Sequence, residues 1–173
     1  VIPDFVVTHD DEGGICIQLN NGEVPQLRVS RSYRELIDEY SKNKKNLSRE
    51  QKDAYVYSKQ KVDAAQNFIN AIKQRQDTLL RTMRAIVAMQ EPFFEDGDET
   101  LLRPMILKDV AQRTGLDIST ISRVSNSKYV QTDFGIYPLK FFFNDTFVTQ
   151  GGEELSKMKI KHMLKSLIDA EDK

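Results

Sequence analysis

Between Ser48 and Pro92 the chain runs through residues 49–91 without a glycine or a proline. Both residue types interrupt helices, one through backbone freedom and the other through its missing N–H. Within this stretch Val62, Ala65, Ile69, Ile72, Gln76, Leu79, Met83 and Ile86 recur at alternating spacings of three and four, and Phe68, Leu80 and Val87 widen the stripe. That is the period of an α-helix with one apolar face. Ser48, followed three residues later by Gln51, supplies a capping box at its start. The spacing predicts one helix over residues 48–91, roughly 65 Å long at about 1.5 Å per residue. A rod of that length must pair along its side or span between separate bodies. Pro92 disfavours helical backbone at Glu91 and ends or kinks the helix there, and Asp96-Gly97 closes the region.

Residues 103–129 carry the second constraint. The run from Leu107 to Val124 reads as two short helices joined at Gly115-Leu116-Asp117. Leu107, Val110 and Ala111 face inward on the first, with Ala111 small where the helices cross. Gly115 supplies the turn, Leu116 plugs it and Asp117 stands where a cap is needed. Ile118, Ile121 and Val124 form the expected buried face of the second helix, which leaves Ser119, Thr120, Ser122 and Arg123 outward. Short hydroxyls and a guanidinium on such a helix suit base reading in a major groove and phosphate contact. The competing reading is a helical hairpin that serves only as core.

Lys128–Thr132 and Ile136–Phe141 are β-prone runs around Asp133-Phe134-Gly135, so a hairpin follows the second helix as a wing. Phe141-Phe142-Phe143 is expected to pack that wing onto the helices. Gly151-Gly152 reads as a hinge, and residues 153–170 as a last helix with Ile160, Met163, Leu164, Leu167 and Ile168 along its apolar stripe. At the other end, Phe5-Val6-Val7 and the alternation of Ile15, Ile17 and Leu19 predict a β-hairpin, with further turn signals at Asn21-Gly22 and Pro25. A sheet this small must lean on something helical. Tyr33, Leu36, Ile37 and Tyr40 predict a short helix over residues 30–40, followed by a solvated linker over 41–46. The expected fold class is therefore mainly α with small β elements: a long helix joined to a winged helix-turn-helix, plus a small N-terminal β-hairpin region.

Charge narrows the function classes. The net charge is −1, which does not describe a free-standing nucleic-acid binder, but its distribution is uneven. Residues 48–94 and 103–129 each carry +3, separated by −4 over residues 95–102. Such modest positive blocks help DNA approach without giving tight binding alone. The single cysteine, Cys16, excludes an internal disulfide framework and fits a reducing compartment. His9 and His162 lie far apart, so no metal-ligand spacing is visible and no cofactor is expected. There is no phosphate loop or nucleophile elbow, so nothing points to an enzyme. No apolar run reaches the roughly 20 residues of a membrane helix. The chain begins at Val1 rather than Met, as expected of a piece of a longer protein.

The tracts Lys128-Tyr-Val-Gln-Thr and Gly135-Ile-Tyr-Pro-Leu-Lys-Phe-Phe resemble the signature that follows the helix-turn-helix in the sigma-54 family of bacterial RNA polymerase factors. Ile2-Pro-Asp-Phe-Val-Val, Leu19-Asn20, Val24-Pro-Gln-Leu-Arg-Val and Tyr33 are similar to the latter part of that family's core-binding domain. Gln74–Arg81 and Ala85-Ile-Val resemble its extra-long helix, and Gly151-Gly152-Glu153 with the final helix fits as well. Asp133-Phe134 departs from the Pro-Arg that many members carry at the wing tip. The resemblance covers neither the family's glutamine-rich N-terminal region nor its C-terminal domain with an arginine-rich box.

This resemblance implies a division into residues 1–47 (the end of a core-binding domain), 48–97 (the long helix), 98–150 (the winged helix-turn-helix) and 151–173 (a C-terminal helix and linker). It implies a non-catalytic, cytoplasmic initiation factor whose partners are core RNA polymerase, promoter DNA and, for the full-length protein, an ATPase activator. Lys128 joins Ser119, Thr120, Ser122 and Arg123 as an implied DNA contact. Asp4, Phe5, Leu27, Arg28 and Tyr33 are the implied polymerase contacts. Two other readings fit the residues alone: an autonomous winged-helix regulator dimerising through the long helix, and a helical scaffold without DNA binding.

Overall fold

The computed structural model describes residues 1–20, 27–144, 146–148 and 154–171. The expected turn at Asn21-Gly22, Pro25 and the hinge at Gly151-Gly152 lie outside the described residues. The chain divides into two compact units, one of residues 22–77 and one of residues 1–21 together with 78–173. The hairpin and the segment that follows it, grouped by the sequence reading into residues 1–47, therefore belong to different units.

In the first unit α1 (Arg31–Lys42) and the N-terminal part of α2 (Arg49–Met89) form a helical hairpin. A single turn of 3-10 helix at Lys44–Asn46 replaces part of the expected linker. The Tyr40 and Tyr55 rings meet edge to face at 6.3 Å, and Arg34 Nη2 donates to Gln66 Oε1 at 2.9 Å. Partners 40 with 55 and 34 with 66 make the two helices antiparallel. The capping box forms as its residues dictate: Ser48 N donates to Gln51 Oε1 at 3.0 Å, and Gln51 N donates to Ser48 Oγ at 3.2 Å. The helix then runs unbroken for 41 residues. Its stripe is uneven. Ile69, Met83, Ile86 and Val87 are buried, whereas Phe68 is 63% exposed.

Pro92 ends α2 rather than kinking it. Gln90 separates α2 from the short α3 (Glu91–Asp96), in whose first turn Pro92 sits without a lost hydrogen bond. Gly97, at φ +79°, terminates α3. Then come α4 (Leu107–Thr114) and α5 (Ile118–Ser127).

The sheet of the second unit is the main departure from expectation. β1 (Phe5–His9) and β2 (Ile15–Leu19) form the N-terminal hairpin, and β3 (Tyr129–Thr132) and β4 (Gly135–Pro138) form the wing. The hairpins are one sheet, in the order β2-β1-β3-β4, because β1 pairs parallel to β3 through Phe5 opposite Val130 and Val6 opposite Gln131. The strand alternation turns Phe5 and Val7 inward, to 0% and 2% exposure. They join Met83, Ile86, Phe93, Phe94, Val110, Ile121, Leu139 and Phe142 in one core.

Phe93 anchors that core, with the rings of Tyr137, Phe142, Phe94 and Phe141 at 5.4 to 5.7 Å. The expected packing of the phenylalanine run against the helices is thus what the structure shows. The last helix, α6 (Lys157–Glu171), begins later than the pattern suggests, because Glu154–Ser156 forms strand β6 against β5 (Thr146–Val148). On α6 Ile160 is half-buried, while Met163, Leu164, Leu167 and Ile168 are all more than half exposed.

Candidate nucleic-acid interface

The joint between α4 and α5 sets the geometry of the site. Gly115, at φ +70°, ends α4, and its N–H donates to the Ala111 carbonyl at 2.9 Å. A side chain there would strain the backbone, which is why glycine suits the position. Thr114 Oγ1 donates to the Val110 carbonyl at 2.8 Å and accepts the Leu116 N–H at 3.2 Å, fixing the turn from within. Arg81 of α2 donates from Nη2 to the Thr114 carbonyl. A cation thus sits on the C-terminal carbonyls of α4, where the helix dipole favours it. At the other end of α4, Asp109 Oδ2 accepts the Ile106 N–H at 2.8 Å.

α5 leans on the core through Ile121 and Val124, with Ser125 also buried at 3% exposure. Asp117 occupies the N-cap, but its side chain makes no capping bond. Ser119 and Arg123 are exposed, and Thr120 and Ser122 are half-buried. Four of the five expected DNA contacts therefore share one short helix and reach its surface. Asn126 is exposed one turn beyond Ser122, with its Nδ2 3.4 Å from Ser122 Oγ. The pattern that placed Ser122 and Arg123 outward already contains Asn126 at the next i+3 and i+4 positions.

One expectation needs correction, and two expected contact residues are engaged within the fold. Ile118 is not part of the buried face; it is 46% exposed. As the first helical residue it has no preceding turn beneath it, and it lines the wall of a concavity with Ile106 and Phe143. Lys128, expected as a DNA contact, lies just beyond α5, half-buried, with Nζ 3.5 Å from Asp4 Oδ1. Phe5, expected as a polymerase contact, is sealed in the core at 0% exposure.

Asp4 is also engaged internally. It accepts the Tyr129 N–H on Oδ2 at 3.0 Å, while its own N–H donates to the Tyr129 carbonyl at 2.9 Å. Of the other expected polymerase contacts, Leu27 is 43% and Tyr33 54% exposed, and Arg28 is exposed as well.

The wing is held at both sides of its tip. His9 Nδ1 and Asp133 Oδ2 share a hydrogen bond at 2.7 Å, and Phe134 packs over Gly97. The turn itself is two residues long, since Thr132 pairs with Gly135. Beside the joint, Arg81, Arg84 and Arg113 line a shallow concavity. A second concavity of about 420 Å³ lies where α4 and α5 begin, with Ile106, Lys108, Ile118 and Phe143 in its wall. No group of three or more metal-ligating side chains occurs among the described residues.

A helix-turn-helix whose following hairpin forms part of one sheet, with hydroxyls and a guanidinium on its second helix, defines a winged helix-turn-helix protein. The family model described as Sigma-54, DNA binding domain matches residues 55–173. The RNA polymerase sigma-54 factors of Salmonella typhimurium and Escherichia coli are each 36% identical over 172 residues, covering 99% of this chain and 34% of each relative. The sigma-54 factor of Acidithiobacillus ferridurans is 35% identical over 173 residues, 99% of this chain and 34% of that protein. Among solved structures, Aquifex aeolicus sigmaN bound to promoter DNA matches with a TM-score of 0.62 and 24% identity, over 97% of this chain and 46% of that one. The chain belongs to the sigma-54 family, and it spans about a third of the length of the curated relatives it matches.

Proposed function

We propose that this chain is the promoter-contacting part of a sigma-54-type transcription initiation factor, a non-catalytic protein that joins core RNA polymerase and directs it to DNA. The reading rests above all on α5. Its buried side is fixed by Ile121 and Val124, so Ser119, Thr120, Ser122 and Arg123 are held in a set phase at the surface.

A recognition helix seated in a major groove brings such groups to base edges, with the guanidinium able to make a bidentate contact to guanine or to grip a phosphate. Core polymerase binds the segment that includes Leu27, Arg28 and Tyr33, whose side chains are exposed. The full-length protein then waits at the promoter for an ATPase activator.

Fluorescence anisotropy of the full-length factor in complex with core polymerase, on labelled promoter fragments, tests the DNA assignment. Arg123→Ala is expected to weaken binding on the order of tenfold, the size of one lost base contact. An unchanged affinity and an unchanged salt dependence would overturn it. Core binding is tested separately by co-elution with core polymerase, which Leu27→Ala with Tyr33→Ala should diminish; full retention by the double variant removes those residues from the surface.

A further inference from the structure

We propose that Ile118 is a specificity-determining residue that reads the 5-methyl group of a thymine. The inference rests on the DNA-contacting role of α5 given above and deepens it. Ile118 is the first residue of α5 and is 46% exposed. It precedes Ser119 directly and Ser122 by one turn, so it stands at the lip of the face that carries the hydroxyls and Arg123.

That face is otherwise built for hydrogen bonding: Ser119, Thr120, Ser122, Arg123 and Asn126 offer donors and acceptors, and its other apolar group is the methyl of the half-buried Thr120. Three of the four major-groove base identities can be read by donors and acceptors alone. Thymine alone adds a methyl group, which is recognised by apolar contact.

The surroundings of Ile118 separate it from a stray surface isoleucine. It shares the concavity of about 420 Å³ with Ile106, itself 43% exposed, and with Phe143. The charged side chain in that wall is Lys108, exposed in the first turn of α4. An apolar lip beside a single cation matches one edge of a DNA groove, where a base methyl and a backbone phosphate lie close together. In helix-turn-helix complexes the N-terminal residues of the second helix approach base edges while the first helix crosses the backbone. Ile118 and Lys108 occupy those two places.

The test uses the full-length factor with core polymerase and a set of promoter fragments in which each thymidine is replaced in turn by deoxyuridine. That exchange removes the methyl group and leaves every hydrogen-bonding group in place. One or two positions should lose about fourfold in affinity, the equivalent of one buried carbon group. With Ile118→Ala those same positions should become indifferent to the exchange.

Thermal melting of Ile118→Ala, expected to match the parent because the side chain is exposed, separates contact from folding; Ile118→Val should keep most of the discrimination. If no position responds, or if the same positions respond equally with Ile118→Ala, the inference fails. Arg123→Ala is measured alongside. Its weakening together with a silent uridine scan would defeat the role of Ile118 alone, whereas silence in both would also defeat the DNA-contacting role of α5.

Discussion

Gln90 and Arg103 are joined by two hydrogen bonds that close a ring: Gln90 Oε1 accepts the Arg103 N–H at 2.7 Å, and Gln90 Nε2 donates to the Arg103 carbonyl at 2.8 Å. The same Nε2 donates to the Phe142 carbonyl at 3.0 Å. Gln90 has 0% exposure, so its amide is fully desolvated and fully paired. It ties the end of α2 to the strand-like segment before α4 and to the turn after β4.

Replacing Gln90 with Met keeps the volume and removes every one of these bonds. Three backbone groups then lose their partner, and each unsatisfied buried group costs about 1–3 kcal/mol. We expect Gln90→Met to lower stability by about 3 kcal/mol or more, read from urea unfolding monitored by circular dichroism. A loss below about 1 kcal/mol would show that the backbone finds other partners.

Asp4 makes the corresponding tie on the sheet side, where its carboxylate and N–H both engage Tyr129. Asp4→Ala should destabilise the protein by about 1–2 kcal/mol, because the Tyr129 N–H loses its acceptor. Asp4→Asn retains an acceptor oxygen and should recover part of the loss. If thermal melting places both variants with the parent, the carboxylate does not hold the sheet together.

Gly97 meets two demands at once. Its φ is +79°, and a Cβ there would lie 2.4 Å from the Phe134 ring. Gly97→Ala should therefore cost more than the roughly 1 kcal/mol of backbone strain alone. Adding Phe134→Leu should relieve the collision and leave the strain. Differential scanning calorimetry of the single and double variants checks the order. A double variant no better than the single would mean that strain is the whole effect.

Asp98 supplies a pH dependence. The Thr100 N–H holds its carboxyl below the ordinary value of 3.8, and the Thr100 hydroxyl adds to that; both donate to Oδ1, at 2.9 and 2.8 Å. A lowered folded pKa means that the unfolded chain binds the proton more readily. The stabilisation is present above about pH 4 and is lost as pH falls through the lowered value. Carbon-detected NMR titration of Asp98 should show the depression, and Thr100→Val should reverse part of it by removing the hydroxyl bond. An Asp98 that titrates at its ordinary value in the parent would contradict the assignment.

Features written in local patterns were legible in the sequence. The helix after Ser48 needed only its period and its cap, and the α4–α5 joint needed Gly115. The outward phase of Arg123 followed from Ile121 and Val124. Pairings between distant segments were not legible. The bond between His9 and Asp133 joins positions 124 apart, and nothing in the run Phe5-Val-Val says which strand will lie beside it. The same blindness hid that Phe5, Asp4 and Lys128 each meet a segment far away in the chain. Ile118 was misplaced for a different reason. Periodicity treats every turn of a helix alike, but the first turn has no preceding turn to pack beneath it.

The strand order has a practical corollary for dissecting this protein. The stretch that carries the family signature, residues 55–173, invites itself as a fragment for binding work. Cutting there would discard β1 and strip the partner from the flank of β3, leaving Val130 and its neighbours with a row of bare amides and an open gap where Phe5 and Val7 had been. Such an exposed flank recruits other chains into intermolecular sheets. A truncation that starts at Val1, by contrast, keeps β1 beside β3. Precipitation of the shorter piece would then report on a missing strand, not on a failure to engage DNA.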